Sequence, residues 1–419
     1  MMTMTKIEYK NIGETVYEGT LENGLRIRVI PKPGFSSYYA VFGTNYGGAM
    51  RRFEVDGKKV DTPAGVAHFL EHKMFDLPGG DNALAMLSAN GADPNAFTSS
   101  GITCYYFRCT EGFEENLKLL LHFVSTPYFT EETVQKEQGI IGQEINMCED
   151  SPGSCIYYSL LGLLYDHHPI KDKVAGTIES IAEITDKTLY DCHKVFYAPS
   201  NMCLCVEGDV DPDKIFEIAR NELTSELSPV PHADYGEEES LLPVKKREML
   251  SMPVSAPQFL IGCKIEGDTY KKRLIPALCS KLLFGNASPF YTRLYADGTL
   301  NRDFDAEADF SAGTGYYIIG GESQNYERVY TELLKEAENP DISDEYFERT
   351  KKSAIGGRLR ALEEFDEVCV STMFSVFDGY NYFTSLEELE KITKKDCIDW
   401  IKENINDDHL AMSVLVPVK

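Results

Sequence analysis

The sequence predicts an α+β fold arranged as two related domains, and three observations carry that expectation. The chain has 419 residues, more than one ordinary hydrophobic core organises. Strand-like and helix-like patterns run in the same order twice. Between the two runs lies a stretch rich in Pro and charge that has neither periodicity.

In the first half, Leu25 to Ile30 and Tyr38 to Phe42 read as strands, and a further strand is expected from Asn95 to Arg108. Long helical patterns follow. Asn201 to Glu207 is a short apolar run closed by Gly208-Asp209-Val210-Asp211-Pro212, a strand and a turn feeding another helix. Ser228 to Lys246 is the unpatterned stretch, which suggests a first domain over 1–230, a linker over 231–248 and a second domain over 249–419. The second half repeats the order: a strand at Gln258 to Lys264, helices from about Thr269 to Phe284, a β-rich middle at Phe304 to Gly320, then helices to Asn404. The halves share this order without obvious sequence similarity.

Hydrophobic residues at 43% and aromatics at 11% suffice for real cores, and no apolar run approaches the length that crosses a bilayer. The opening MMTMTKIEYK lacks the basic-then-apolar pattern of a signal peptide, so export is not expected. Eleven cysteines without a paired framework fit thiols kept reduced in a cytoplasm. A formal net charge of −26 opposes docking on nucleic acid or anionic lipid, so neither is an expected partner.

Six of the eight histidines (His68, His72, His122, His167, His168, His193) precede Ser200, which points to chemistry in the first half. Thr62 and Pro63 have the form of a helix start, and Leu77-Pro78-Gly79-Gly80 of a stop. On the helix between them, positions 68, 71, 72 and 75 form one stripe, while Val66, Phe69, Leu70 and Met74 spread over the side that can pack. Histidines four apart on a helix can both reach one zinc at about 2.0–2.1 Å. Glu71 precedes His72 and can stand beside the metal as a general base without ligating. A second helix is expected from Thr130 through Glu131 and Glu132 to Met147; on it Glu137 and Glu144 are seven apart and share a face, a pair that on an arbitrary helix would be solvated. His167-His168 are neighbours whose side chains diverge, which favours a structural role.

His68-Phe-Leu-Glu71-His72, followed by Gly142-Gln143-Glu144-Ile145, resembles the pitrilysin/insulinase family of zinc peptidases. The likeness extends to Gly91-Ala-Asp-Pro-Asn95-Ala96-Phe97-Thr98-Ser99, to His168-Pro169 with Ala175-Gly176-Thr177, to Pro199-Ser200-Asn201-Met202, and to Gly208-Asp209-Val210-Asp211-Pro212. It implies Glu144 as third ligand of one Zn²⁺ and Glu137 as a supporting carboxylate. It further implies two related domains, each a mostly antiparallel β-sheet with helices packed on it (LuxS/processing-peptidase-like), forming half of a clamshell. Length is similar to that of the half-size members such as mitochondrial processing peptidase subunits, and the chain looks most like bacterial insulinase-like proteins associated with elongation factor P modification.

The implied activity is that of a bacterial cytoplasmic zinc endopeptidase, with peptide substrates adding as a strand along Asn95, Ala96, Phe97 and Thr98. A zinc-binding assembly or modification-associated factor without turnover is the alternative, although a structural zinc usually has four protein ligands and three are identifiable. The family's Arg and Tyr that hold the substrate carbonyl are replaced here by Tyr295 and by Asn301 or a neighbour, and Arg293 is two residues out of place. A homologous partner chain lacking the metal motif and supplying that pair is therefore expected, with a homodimer as the alternative.

Overall fold

The computed structural model describes residues 4–418. The chain divides into two compact units, and each is built on one sheet. In the first, β1 (Thr5–Tyr9), β2 (Glu14–Thr20), β3 (Arg26–Pro31), β4 (Tyr38–Thr44), β7 (Asp93–Thr98), β8 (Thr103–Cys109) and β9 (Met202–Gly208) pair in the order β1-β2-β3-β9-β4-β8-β7. Only β3 and β9 run parallel. The short β5 (Arg52–Val55), β6 (Lys58–Asp61) and β10 (His232–Ala233) form a separate three-stranded sheet. The second unit pairs β11 (Arg247–Met252), β12 (Gln258–Lys264), β13 (Asp305–Ser311), β14 (Thr314–Glu322) and β15 (Ala411–Pro417) in the order β11-β15-β12-β14-β13, with β11 and β15 parallel. The predicted α+β class, two related domains of mostly antiparallel sheet with packed helices, is what the chain adopts.

Burial explains the strands. The central β9 is buried at every position, as a strand covered on both faces must be, whereas β3 alternates. Ile27 and Val29 point into the main core with helices Val66–Lys73, Phe113–Ser125, Asp186–Phe196 and Pro212–Glu222. Ile30, Tyr39, Val41 and Cys205 face a second cluster under helix Phe365–Asp378. The second unit has its own core around Phe259, Ile261, Leu278, Tyr317 and Trp400.

Four expectations need correction. Asn95 to Arg108 is not one strand but the hairpin β7–β8, because Ser99-Ser100-Gly101 turns the chain. Thr62 does not cap the first helix; its hydroxyl donates to the Arg51 carbonyl, and the helix begins at Val66 after Gly65. Gly65 has φ +96°, and a Cβ there would lie 2.6 Å from the Ala175 carbonyl oxygen, so a close backbone approach sets the start. That helix ends at Lys73, before Pro78–Gly80, which forms a 3₁₀ turn. The stretch 231–248 is tied down rather than free: β10 pairs with β5, and β11 already starts at Arg247. Nor are the units contiguous halves, since 146–171 belongs with the second and 359–383 with the first.

Candidate metal centre

Helix Val66–Lys73 has only eight residues, too short to persist alone, so packing must hold it. Phe69 and Leu70 are fully buried in the main core, each contributing roughly 1.5–3 kcal/mol, with Val66, Ala67 and Met74 beside them. The opposite face carries His68, Glu71 and His72. Helix Glu131–Asp150 supplies the carboxylates. Thr130 Oγ1 accepts from the Thr133 amide at 3.2 Å, and Glu131 and Glu132 sit in its positive first turn. Val134, Ile141 and Ile145 are buried, and this fixes the face that Glu137 and Glu144 present.

The two helices bring the donors together. His68 Nε2 lies 3.5 Å from Glu144 Oε1, His72 Nε2 lies 3.6 Å from Glu144 Oε2, and the imidazole centroids are 4.6 Å apart. Donor atoms of His68, His72 and Glu144 all fall within 4.8 Å of one another. Ligands about 2.0–2.2 Å from one tetrahedral zinc stand ~3.4 Å apart, so this donor set fits the ion. Glu137 Oε1 is 3.0 Å from His72 Nδ1, which places the proton on Nδ1 and leaves the Nε2 lone pair for a metal. His68 Nδ1 is buried without a hydrogen-bond partner among the described residues.

Charge agrees with the geometry. Burial pushes the His72 pKa down, but the hydrogen bond to Glu137 and the charges of Glu71, Glu137 and Glu144 outweigh it and leave it raised. The hydrogen bond to His68 holds the Glu144 pKa low against burial. Three carboxylates thus face two imidazoles, an arrangement that a cation neutralises.

Glu71 accepts a 2.6 Å hydrogen bond from Thr98 Oγ1, and Thr103 Oγ1 in turn donates to the Tyr46 carbonyl. Thr98 ends the edge strand β7, so one hydroxyl aligns the carboxylate with that edge. Sequence reasoning had placed Thr98 only in the substrate strand; Thr at a strand end facing a helix Glu was the available signal. Asn95, Ala96 and Phe97 lie on β7, whose outer edge has no neighbouring strand among the described residues. His167 and His168 are in the other unit, where Glu239 accepts both their amides and that of Asp166. Burial pushes the His168 pKa down to about 4. Tyr295 is on helix Pro289–Ala296, and Arg293 is engaged by Glu332 and Glu336.

Two histidines and a glutamate on facing helices, with a second glutamate beside them outside the donor set, on a sheet of this topology, define a zinc-protease scaffold. Residues 57–178 match the family model described as insulinase (peptidase family M16), and 183–354 match that of the peptidase M16 inactive domain. A Bacillus subtilis relative named as an uncharacterized zinc protease, YmfH, is 37% identical over 98% of this chain and 99% of its own. One from Mycobacterium leprae, also named as an uncharacterized zinc protease, is 27% identical over 72% of this chain and 71% of its own. A crystal structure described as an M16-like peptidase from Alicyclobacillus acidocaldarius superposes with a TM-score of 0.91 at 31% identity, covering 97% of this chain and 99% of that one. The chain belongs to the insulinase family, peptidase family M16. Among the described residues no helix is long and apolar enough to cross a membrane.

Proposed function

We propose that the chain is a zinc-dependent endopeptidase that hydrolyses peptides or unfolded segments in an enclosed chamber. His68, His72 and Glu144 would hold the Zn²⁺, and the observation that carries the reading is their convergence while Glu71 stays outside the donor set, oriented by Thr98. Zinc would supply Lewis-acid polarisation of the scissile carbonyl and acidify water at the site. Glu71 takes a proton from the attacking water and delivers it to the leaving amine. Glu137 holds the His72 ring in its ligating tautomer. Asn95 to Thr98 pair with the substrate backbone along the open edge of β7, which gives affinity with little sequence demand.

The chain is further proposed as the metal-bearing subunit of a heterodimer in the bacterial cytoplasm. Eleven unpaired cysteines support a reducing compartment. Tyr295, and Asn301 or a neighbour, at the positions expected for the carbonyl-holding pair, with Arg293 engaged elsewhere, support a homologous partner that supplies an Arg and a Tyr.

Glu71→Gln tests the reading, because the amide keeps shape but cannot take the proton. It should retain zinc and lose about 10² to 10⁴ in peptide hydrolysis, assayed with the partner present. Undiminished turnover would remove Glu71 from the role, and zinc binding without turnover in the unmutated complex would favour a non-catalytic factor.

A further inference from the structure

On the face of the first sheet that carries helix Phe365–Asp378, a cavity of about 260 Å³ opens between β1, β2, β3 and the end of that helix. It is smaller than drug-sized pockets, so it suits a compact ligand. Arg26 and Arg28 both line it, being two apart on β3 and therefore on one face. Arg28 Nε pairs with Glu18 at 3.1 Å, and its Nη1 donates to the Ile27 carbonyl. Arg26 has no carboxylate within ion-pair distance among the described residues. Its Nη1 donates to the Val376 carbonyl at 3.2 Å, and its guanidinium carbon lies 4.7 Å from the Phe377 ring centroid. Two arginines against one glutamate leave a net positive charge in the lining of a protein of formal charge −26.

Two of the lining residues each carry a buried donor with no partner among the described residues: Arg26 Nε and Thr372 Oγ1, the latter on a residue 2% exposed. Leaving such groups unsatisfied is costly, and a ligand with acceptor oxygens would satisfy both. Burial also lowers the Arg26 pKa, the cost that a bound anion relieves. We infer that this cavity is a binding site for a small oxyanion, a carboxylate or phosphate group held by Arg26 and Thr372 with Arg28 adding charge.

The site is separate from the metal centre. β3 is four strand positions from β7, about 19 Å at ~4.8 Å per step, and Arg26 and Arg28 point to the face opposite Ile27 and Val29, which share a core with the histidine helix. The inference does not depend on the proposed peptidase activity.

Titration calorimetry on the full chain tests it, with inorganic phosphate in one arm and succinate in the other, against sodium chloride of equal ionic strength to fix screening. Saturable one-site binding of phosphate alone identifies a phosphate ligand, of succinate alone a carboxylate, and either supports the site. Thr372→Val keeps the side-chain shape and the Arg26 bond to Val376, and should weaken binding about tenfold or more; Arg26→Gln should weaken it further. Absence of saturable binding by both anions, or equal affinity in Thr372→Val, overturns the inference.

Discussion

The two units share one construction and differ where the chemistry is. Read as β3-β9-β4-β8-β7 and β11-β15-β12-β14-β13, their sheets have the same strand order and the same single parallel pair. Helices follow suit: Glu131–Asp150 corresponds to Asp344–Ala361, and Asp186–Phe196 to Lys394–Asn404, the last two each opened by a threonine capping box. Ile141-Gly142-Gln143-Glu144-Ile145 can be aligned with Ile355-Gly356-Gly357-Arg358-Leu359, so an arginine stands where the first unit has Glu144. Between β12 and the edge pair, helix Tyr270–Leu283 carries no histidine, and Tyr270 feels the charge of Arg358. The fold is therefore independent of the candidate metal donors: a sheet with covering helices forms in both units, and among the described residues three side chains, His68, His72 and Glu144, converge as a possible metal site in only one of them.

Breaking each core should separate the two properties most strongly. Leu70→Ala and Leu278→Ala both empty fully or nearly fully buried sites and should each cost about 2–5 kcal/mol by denaturant unfolding. Leu70→Ala should also weaken zinc binding, because it loosens the helix bearing His68 and His72; Leu278→Ala should leave it unchanged. Equal zinc loss in both would mean that the metal site draws on the whole chain.

Glu137→Gln sharpens the contrast within the first unit. It keeps size but weakens the hold on His72, and zinc affinity measured by competition with a chelator should fall about 10–100-fold. An unchanged affinity would reduce Glu137 to a bystander.

A smaller effect separates the two central strands. β9 buries Glu207 completely, on the face that carries Cys203 and Cys205, whereas the matching face of β15, turned away from its unit's core, carries the uncharged Ala411, Ser413 and Leu415. Burial pushes the Glu207 pKa up to about 8, opposed by Lys32 at 3.3 Å. A raised folded pKa means that this contribution is complete below the unfolded value near 4.5 and is lost as pH rises through about 8. Wild-type stability should thus decline relative to Glu207→Gln between pH 5 and 8, by at most about 1.4 kcal/mol per pH unit. Parallel pH profiles would show that Glu207 titrates normally.

Much of this was readable in the sequence. β12 has the bounds that its apolar run suggests, and the spacing of His68, Glu71 and His72 sets their common face whatever the tertiary context. What the sequence withheld depends on distant chain. The start of the histidine helix is set by Gly65 against Ala175, not by a local cap. The hairpin was hidden because residues on both sides of Ser99-Ser100-Gly101 favour strands. The hydrogen bond from Thr98 to Glu71 exists only once β7 lies beside the helix, and the exchange of 146–171 and 359–383 between units leaves no mark on composition.

We propose that His68, His72 and Glu144 together hold one zinc in the first unit and that the described residues of the second unit hold none. Elemental analysis of protein purified without added metal tests it most directly. Wild type should carry one zinc per chain, His72→Ala almost none, and Tyr270→Phe a full equivalent. Absence of zinc in the wild type, or undiminished zinc in His72→Ala, would contradict the account.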